Sequence, residues 1–168
     1  DWRLTSSERK RILLAHVYGV DIDYQAVEVT KLSLLLKVLE GETEETLQCQ
    51  HRLFHKERAL PDLTDNIKCG NSLIGSDFYN GRQLSLLDED ERLRVNVFDW
   101  DGNDGFHAIM HAGGFDAVIG NPPYLFITEV PADMRGYYND RYSTVSYRFD
   151  LYGTFIEKAV QELLCDAA

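Results

Sequence analysis

The chain has 168 residues, 44% of them hydrophobic and 27% charged, with a formal net charge of −11. That is enough for one domain with a real core, and no apolar run approaches the roughly 20 residues of a membrane span. Cys49, Cys69 and Cys165 are an odd number at wide spacing, which excludes a disulfide framework or a zinc knuckle and points to reduced thiols in the cytoplasm. The acid gathers in Glu40, Glu42, Glu44 and Glu45, in 88–91, and in Asp99, Asp101 and Asp104. These clusters read as solvated loops, and they imply that the chain alone grips nucleic-acid phosphates poorly.

In chain order, Ser6 to Ala15 suits the end of a helix. His16 to Ile22 is a short apolar, β-branched run ending in acid, which predicts a strand buried on both faces. Asp23 can cap a helix in which Ala26, Val27, Val29, Leu32, Leu35, Leu36 and Leu39 follow at mostly helical spacing, with Gly41 as the stop. Residues 42–66 are polar and read as an insertion. A short strand is expected at Asn66 to Gly70. Residues 76–114 read as a second insertion, with a helix near Asp88 to Val97 and Gly113 and Gly114 at its end. Phe115 to Gly120 predicts a second buried strand. Residues 125–147 read as a Tyr-rich irregular loop, and Phe149 to Leu164 as an amphipathic helix with Leu151, Phe155, Ile156, Ala159, Val160, Leu163 and Leu164 on one side. This order is the start of an α/β doubly wound pattern, in which ligands sit beyond the carboxyl ends of the strands. Asp21 and Asn121 both stand at such ends.

Asn121, Pro122, Pro123 and Tyr124 follow the second strand directly. Two prolines fix φ twice and remove two donors, so the turn is stiff and rich in carbonyls. The Asn121 side-chain oxygen and the Pro122 backbone oxygen can accept both hydrogens of a planar amine, while Tyr124 stacks on the ring that carries it. An exocyclic amine is a poor nucleophile because its lone pair is delocalised, so orientation and electrostatics matter more than a strong base. The competing reading is a rigid surface turn, since Asn-Pro is a common turn dipeptide.

Asp21 ends a buried strand ahead of a helix, where a carboxylate can accept from both ribose hydroxyls of a nucleoside cofactor. Ile22 would form an apolar wall against the adenine. Alternatively, Asp21 and Asp23 both serve the cap of the following helix. Asn71 follows the short strand and is either an acceptor for the cofactor's adenine amine or a plain turn residue.

The segment FDAVIGNPPY, residues 115–124, resembles the catalytic motif of amino-methyltransferases, in the form usual for adenine-specific DNA enzymes. Tyr18 to Asp23 resembles that family's second-strand motif. Phe149 to Ala159 resembles the helix after the catalytic loop in large type I and type IIG restriction-modification enzymes. The resemblance implies a Rossmann-like methyltransferase fold over 1–168, incomplete, and S-adenosyl-L-methionine as cofactor, held by Asp21, Ile22 and Asn71. It implies an adenine flipped from duplex DNA as substrate, held by Asn121, Pro122, Pro123 and Tyr124. The family often has Asp where Asn71 stands, so charge assistance is lost there. The family's glycine-rich first motif has no match in residues 1–15, and its later strands and target-recognition domain would be expected to follow Ala168. The expectation is therefore that N- and C-terminal parts of a longer parent are missing, and that the isolated stretch is inactive. Two alternatives stay open: a protein-glutamine or RNA methyltransferase using the same turn, and a non-catalytic specificity or scaffold fragment.

His51 and His55, and His107 and His111, have the spacing of a helical metal pair, but no third ligand is evident for either, so no metal site is expected. Tyr137, Tyr138, Tyr142, Tyr147 and Tyr152, with Phe126 and Phe149, form either a wall against the flipped base or a packed loop, with Phe149 and Tyr152 expected in the core. Arg135, Arg141 and Arg148 lie among them and could touch phosphates.

Overall fold

Thr5 starts the first helix: its Oγ1 accepts from the Glu8 amide at 3.2 Å, opening α1, Ser6–His16. This computed structural model describes residues 4–41, 61–80, 89–145 and 150–165. They fall in two compact units, Asp1–Cys69 and Gly70–Ala168. Cys49, the His51/His55 pair, Tyr147, Arg148, Phe149 and most of the first expected insertion lie outside the described residues.

In the first unit, α1 leads to β1, Gly19–Asp21. Asp23 then caps α2, Tyr24–Leu39, accepting from the amides of Gln25 at 2.7 Å and Ala26 at 3.4 Å. Gly41, at φ +85°, takes the left-handed conformation that ends a helix at low cost. β2, Ile67–Cys69, lies parallel to β1 with Gly19 opposite Ile67, Val20 opposite Lys68 and Asp21 opposite Cys69. Leu13, Val27, Val38, Leu63 and Ile67 form the core. Asn66 is 4% exposed, and its Nδ2 donates to the carbonyls of Leu14 at 3.0 Å and Val17 at 2.9 Å. One carboxamide thus ties the end of α1 to the start of β2 and satisfies orphan carbonyls of the helix.

The βαβ unit β1–α2–β2 is the α/β grammar expected. Among the described residues the sheet has these two strands. Two expectations fail in detail. The first strand is three residues long, with Gly19 and Val20 half-buried and Asp21 exposed, and among the described residues it is paired along one edge only. The apolar residues of α2 do not all face inward: Val27 and Val38 are buried, whereas Val29, Leu32 and Leu36 are largely exposed. The helix is apolar nearly all round, and spacing cannot choose which face the neighbours cover.

In the second unit, a 3₁₀ turn at Ser76–Tyr79 is followed by α3, Glu89–Val95, close to the helix expected there, and α4, His107–His111. A second 3₁₀ turn, Ile127–Glu129, precedes α5, Ala132–Arg141. Last comes α6, Leu151–Lys158, which widens into a π turn over Ala159–Leu163. Leu73, Ile74, Phe78, Val95, Ile127, Val130, Met134, Tyr138, Tyr142 and Leu151 make the core. The stretch read as an irregular loop is therefore largely helical and supplies half of this core. Several of its tyrosines end inside: Tyr138 is 3% and Tyr142 4% exposed. Their rings carry the apolar area, and the polar tips find partners. The Tyr142 hydroxyl donates to the Leu73 carbonyl at 2.6 Å. The Tyr137 hydroxyl donates to Asp77 Oδ1 at 2.7 Å and accepts from the Gly75 amide at 3.2 Å. Burial, reinforced by that bond to Asp77, pushes the Tyr137 hydroxyl up to about 12. Conversely Tyr152, expected in the core, is 45% exposed, as are Ile156 at 54% and Val160 at 62%. The buried face of α6 carries Leu151, Gly153, Thr154 and Glu157 instead.

Tyr142→Phe should keep the packing and strand the buried Leu73 carbonyl. The expected loss is about 1–2 kcal/mol, read as a shift in urea midpoint at unchanged m-value. A midpoint within error of the parent would show that the bond adds nothing.

Candidate active site

Residues 116–124 belong to no helix or strand, which overturns the expected strand at Phe115 to Gly120. Among the described residues its backbone pairing is one bridge, Phe115 to Leu164. Val118 is 39% and Ile119 98% exposed. A β-branched apolar run becomes a strand only where a neighbour supplies the hydrogen bonds and a face to cover, and among the described residues this run has only the bridge at Phe115.

The segment is held at both ends by α6 and its flanks. At the start, the Phe115 amide donates to the Leu163 carbonyl at 2.8 Å, and the Cys165 amide donates to the Phe115 carbonyl at 3.0 Å. The Phe115 ring packs edge-on against Trp100 and Phe106, with centroids 6.0 and 5.9 Å away. Gly114 precedes it at φ +107°, and a Cβ there would stand 2.5 Å from the Leu163 carbonyl oxygen. At the far end, Asp150 Oδ1 accepts from the Leu125 amide at 3.2 Å, and the Leu151 amide donates to the Leu125 carbonyl at 3.0 Å. Asp150 is also the N-cap of α6. From Leu151 to Leu163 a helix rises roughly 18 Å, whereas ten residues of chain can span roughly 33 Å. The segment thus has slack between fixed posts.

The Asn-Pro-Pro-Tyr corner sits in that slack. Asn121, Pro123 and Tyr124 are exposed and Pro122 is half-buried; Tyr124 is 87% exposed. A Cβ on Gly120 would meet nothing within 4 Å. Among the described residues the Asn121 side chain and the Tyr124 ring are thus left accessible.

Asp21 stands exposed at the carboxyl end of β1, and its Oδ1 accepts from the Asp23 amide at 2.8 Å. Asp23, not Asp21, caps α2. Ile22 follows with 54% of its surface exposed. Asn71 is 8% exposed. Its Oδ1 accepts from the Leu73 amide at 3.1 Å, and its amide donates to the Asn96 carbonyl at 2.5 Å. The bond from the Leu73 amide is one that a turn asparagine makes.

Of the arginines that could touch phosphates, Arg135 and Arg141 are engaged within the unit. Arg135 Nη2 donates to the carbonyls of Thr128 at 3.0 Å and Val130 at 2.9 Å, and Arg141 pairs with Glu162 at 3.4 Å. An open groove beside α6 is lined by Ser143, Thr144, Tyr152, Ile156, Glu157 and Val160. Glu157 is its anchor: Oε1 accepts from the amide and hydroxyl of Ser143 at 2.8 and 2.9 Å, and Oε2 from those of Thr144 at 2.8 and 2.6 Å. Burial alone would raise this carboxyl, but the four donors from Thr144 and Ser143 outweigh it and hold it at about 2. Sequence reading missed Glu157 because a Glu inside a helix looks like any solvated one. It missed the post at Asp150 as well, although an Asp directly before Leu151 is an N-cap signal.

Comparison with known proteins agrees with the motifs. The family described as Eco57I restriction-modification methylase matches residues 15–167. The chain belongs to this family. It is 31% identical over 165 residues to the type II restriction enzyme and methyltransferase RM.Eco57I of Escherichia coli, covering 96% of this chain and 14% of that protein. It is 43% identical over 51 residues to the type II methyltransferase M.PaeR7I of Pseudomonas aeruginosa, covering 30% and 9%. It is 25% identical over 153 residues to the adenine-specific methyltransferase PglX of Streptomyces coelicolor, covering 90% and 12%. The chain thus spans a small part of each relative's length. No solved structure matches it. Among the described residues, no helix is long and apolar enough to cross a membrane.

Proposed function

We propose that the protein carrying this chain transfers a methyl group from S-adenosyl-L-methionine to the N6 amine of adenine in duplex DNA, within a restriction-modification system. The observation that carries this reading is the exposed Asn121–Tyr124 corner, stiff in itself and tethered at both ends to α6. The family and the adenine-specific relative support the same class of reaction.

When bound, S-adenosyl-L-methionine supplies an electrophilic methyl group. Asp21 would hold its ribose hydroxyls, since the carboxylate is exposed at a strand end and one oxygen is turned back on the Asp23 amide. Ile22 would cover the apolar face of its adenine. Asn71 shapes the turn after β2 and contributes by position. At the corner, the Asn121 side-chain oxygen and the Pro122 carbonyl accept the two amine hydrogens. That turns the nitrogen lone pair out of conjugation with the ring, the main obstacle to attack. Pro123 keeps Pro122 extended and its carbonyl aimed. Tyr124 stacks on the base, which must leave the duplex to reach it, at a cost of a few kcal/mol.

The test offers duplex DNA, RNA and protein to the purified full-length protein with isotopically labelled cofactor, then identifies the product by mass. Labelled 6-methyladenine is expected. Labelled 4-methylcytosine would move the target to cytosine, and label only in RNA or protein would refute a DNA substrate. For the cofactor, Asp21→Ala should weaken S-adenosyl-L-methionine binding at least about ten-fold by calorimetry, the loss of charge-assisted hydrogen bonds. Unchanged affinity would remove Asp21 from the site.

A further inference from the structure

We propose that Asp101, His107 and His111 form a binding site for one divalent transition-metal ion, zinc foremost. The histidines are four residues apart on α4, so both imidazoles lie on one face, with ring centroids 4.2 Å apart. The third ligand comes from the loop before the helix. Asp101 Oδ1 stands 3.0 Å from His107 Nδ1 and 3.4 Å from His111 Nε2. All three ligand atoms lie within 4.8 Å of one another. Donors bound tetrahedrally at 2.0–2.1 Å stand about 3.3 Å apart, so the observed spacing needs little adjustment. His107 Nδ1 also donates to the Asp101 carbonyl at 2.8 Å, and an ion binding at this nitrogen would displace that proton.

Sequence spacing left this His pair without a third ligand because Asp101 is off the helix. The loop that returns it is tightly wound. The Gly102 amide donates to the Asp99 carbonyl at 3.2 Å, the Gly105 amide to the Gly102 carbonyl at 2.9 Å, and the Phe106 amide to the Trp100 carbonyl at 2.8 Å. A Cβ on Gly105 would stand 2.0 Å from the Asp99 carbonyl oxygen, so only glycine lets the loop close this far. Asp99 itself is turned away, accepting from Ser76 Oγ at 2.8 Å. The loop is pinned to the aromatic cluster by Trp100, whose Nε1 donates to the Ser72 carbonyl at 2.9 Å. The ligands are thus set before an ion arrives, which lowers the ordering cost of binding it.

The donor set selects the ion. Two imidazoles and one carboxylate suit zinc and its neighbours, whereas magnesium and calcium favour oxygen alone. Each side chain is more than half exposed, at 61% for Asp101, 53% for His107 and 64% for His111, so water completes the coordination. The ion would staple the 101–107 loop to α4, a few residues ahead of the Phe115 post.

The experiment titrates zinc into the metal-stripped full-length protein against a chromophoric chelator, with cobalt absorption as a report of tetrahedral geometry. The parent should bind one zinc that the His107→Ala/His111→Ala protein does not bind. Asp101→Asn, which keeps both imidazoles and the side-chain shape, should weaken it at least about ten-fold. Zinc should raise the melting temperature of the parent and leave the double variant unmoved. Equal zinc binding by parent and double variant, or unaltered affinity in Asp101→Asn, overturns the proposal. So does zinc lost only on replacing His51 and His55. The readouts are independent of methyl transfer.

Discussion

Replacing Asn121 with alanine in the full-length protein is expected to lower the methyl-transfer rate by at least about 10²–10³-fold, the cost of removing one preorganised group that stabilises the transition state. Stability should change by no more than about 0.5 kcal/mol, because Asn121 is exposed and its loss opens no cavity. The two readouts together separate chemistry from folding. Tyr124 adds a finer test. Its ring is 87% exposed, so Tyr124→Ala also leaves the core alone. It should weaken capture of a flipped base by about 1–3 kcal/mol, whereas Tyr124→Phe, which keeps the ring face, should stay near the parent. Single-turnover methylation and binding to an oligonucleotide with a mismatched target base would measure both. An Asn121→Ala enzyme within three-fold of the parent would remove the amine-holding role on which the proposed mechanism rests.

The second large effect is structural. Glu157→Ala should destabilise the protein by about 2–3 kcal/mol: two amides and two hydroxyls lose a charged acceptor, but the partly exposed Ser143 and Thr144 regain water. Glu157→Gln should also fail to restore stability, since its NH₂ would meet donors where the second oxygen was an acceptor. The pH dependence has a definite sign. The folded carboxyl titrates at about 2 against an ordinary 4.5, so it is depressed. Its stabilisation is fully present above about 4.5 and is lost as the pH falls from there toward 2. The stability gap between parent and Glu157→Gln should therefore narrow over that interval and stay constant from pH 5 to 8. Denaturant midpoints measured at several pH values check it. A gap that persists undiminished at pH 2.5 would mean the Ser143–Thr144 clamp does not depend on the charge.

Local signals in the sequence proved sound where the chemistry is local. Asp23 caps α2 because its short carboxylate reaches the amides of Gln25 and Ala26 within its own turn, and Gly41 ends the helix because it tolerates φ +85°. The short strand expected at Asn66 to Gly70 is present as β2, whereas its parallel pairing with β1 was not legible. Periodicity failed where burial depends on neighbours. The run 115–120 has the composition of a buried strand yet lies exposed from Asp116 on, and Ile156 and Val160 point outward while Glu157 points in. The tyrosines after the corner looked like a wall or a packed loop; Tyr138 and Tyr142 turned out to be core, and the Tyr142 hydroxyl finds its partner, the Leu73 carbonyl, far away in the chain.

By itself, then, the sequence determined what short-range stereochemistry controls: the helix caps, the proline-stiffened corner at Asn121 to Tyr124, and the acidic strand end at Asp21. Tertiary structure alone decided which faces are covered, that Asp150 and Leu163 are the posts of the corner, that Glu157 clamps Ser143 and Thr144, and that Asp101 folds back on His107 and His111. The division follows from distance along the chain. A cap or a proline acts on atoms a few bonds away, whereas burial and ligand geometry depend on partners that only the folded chain brings near.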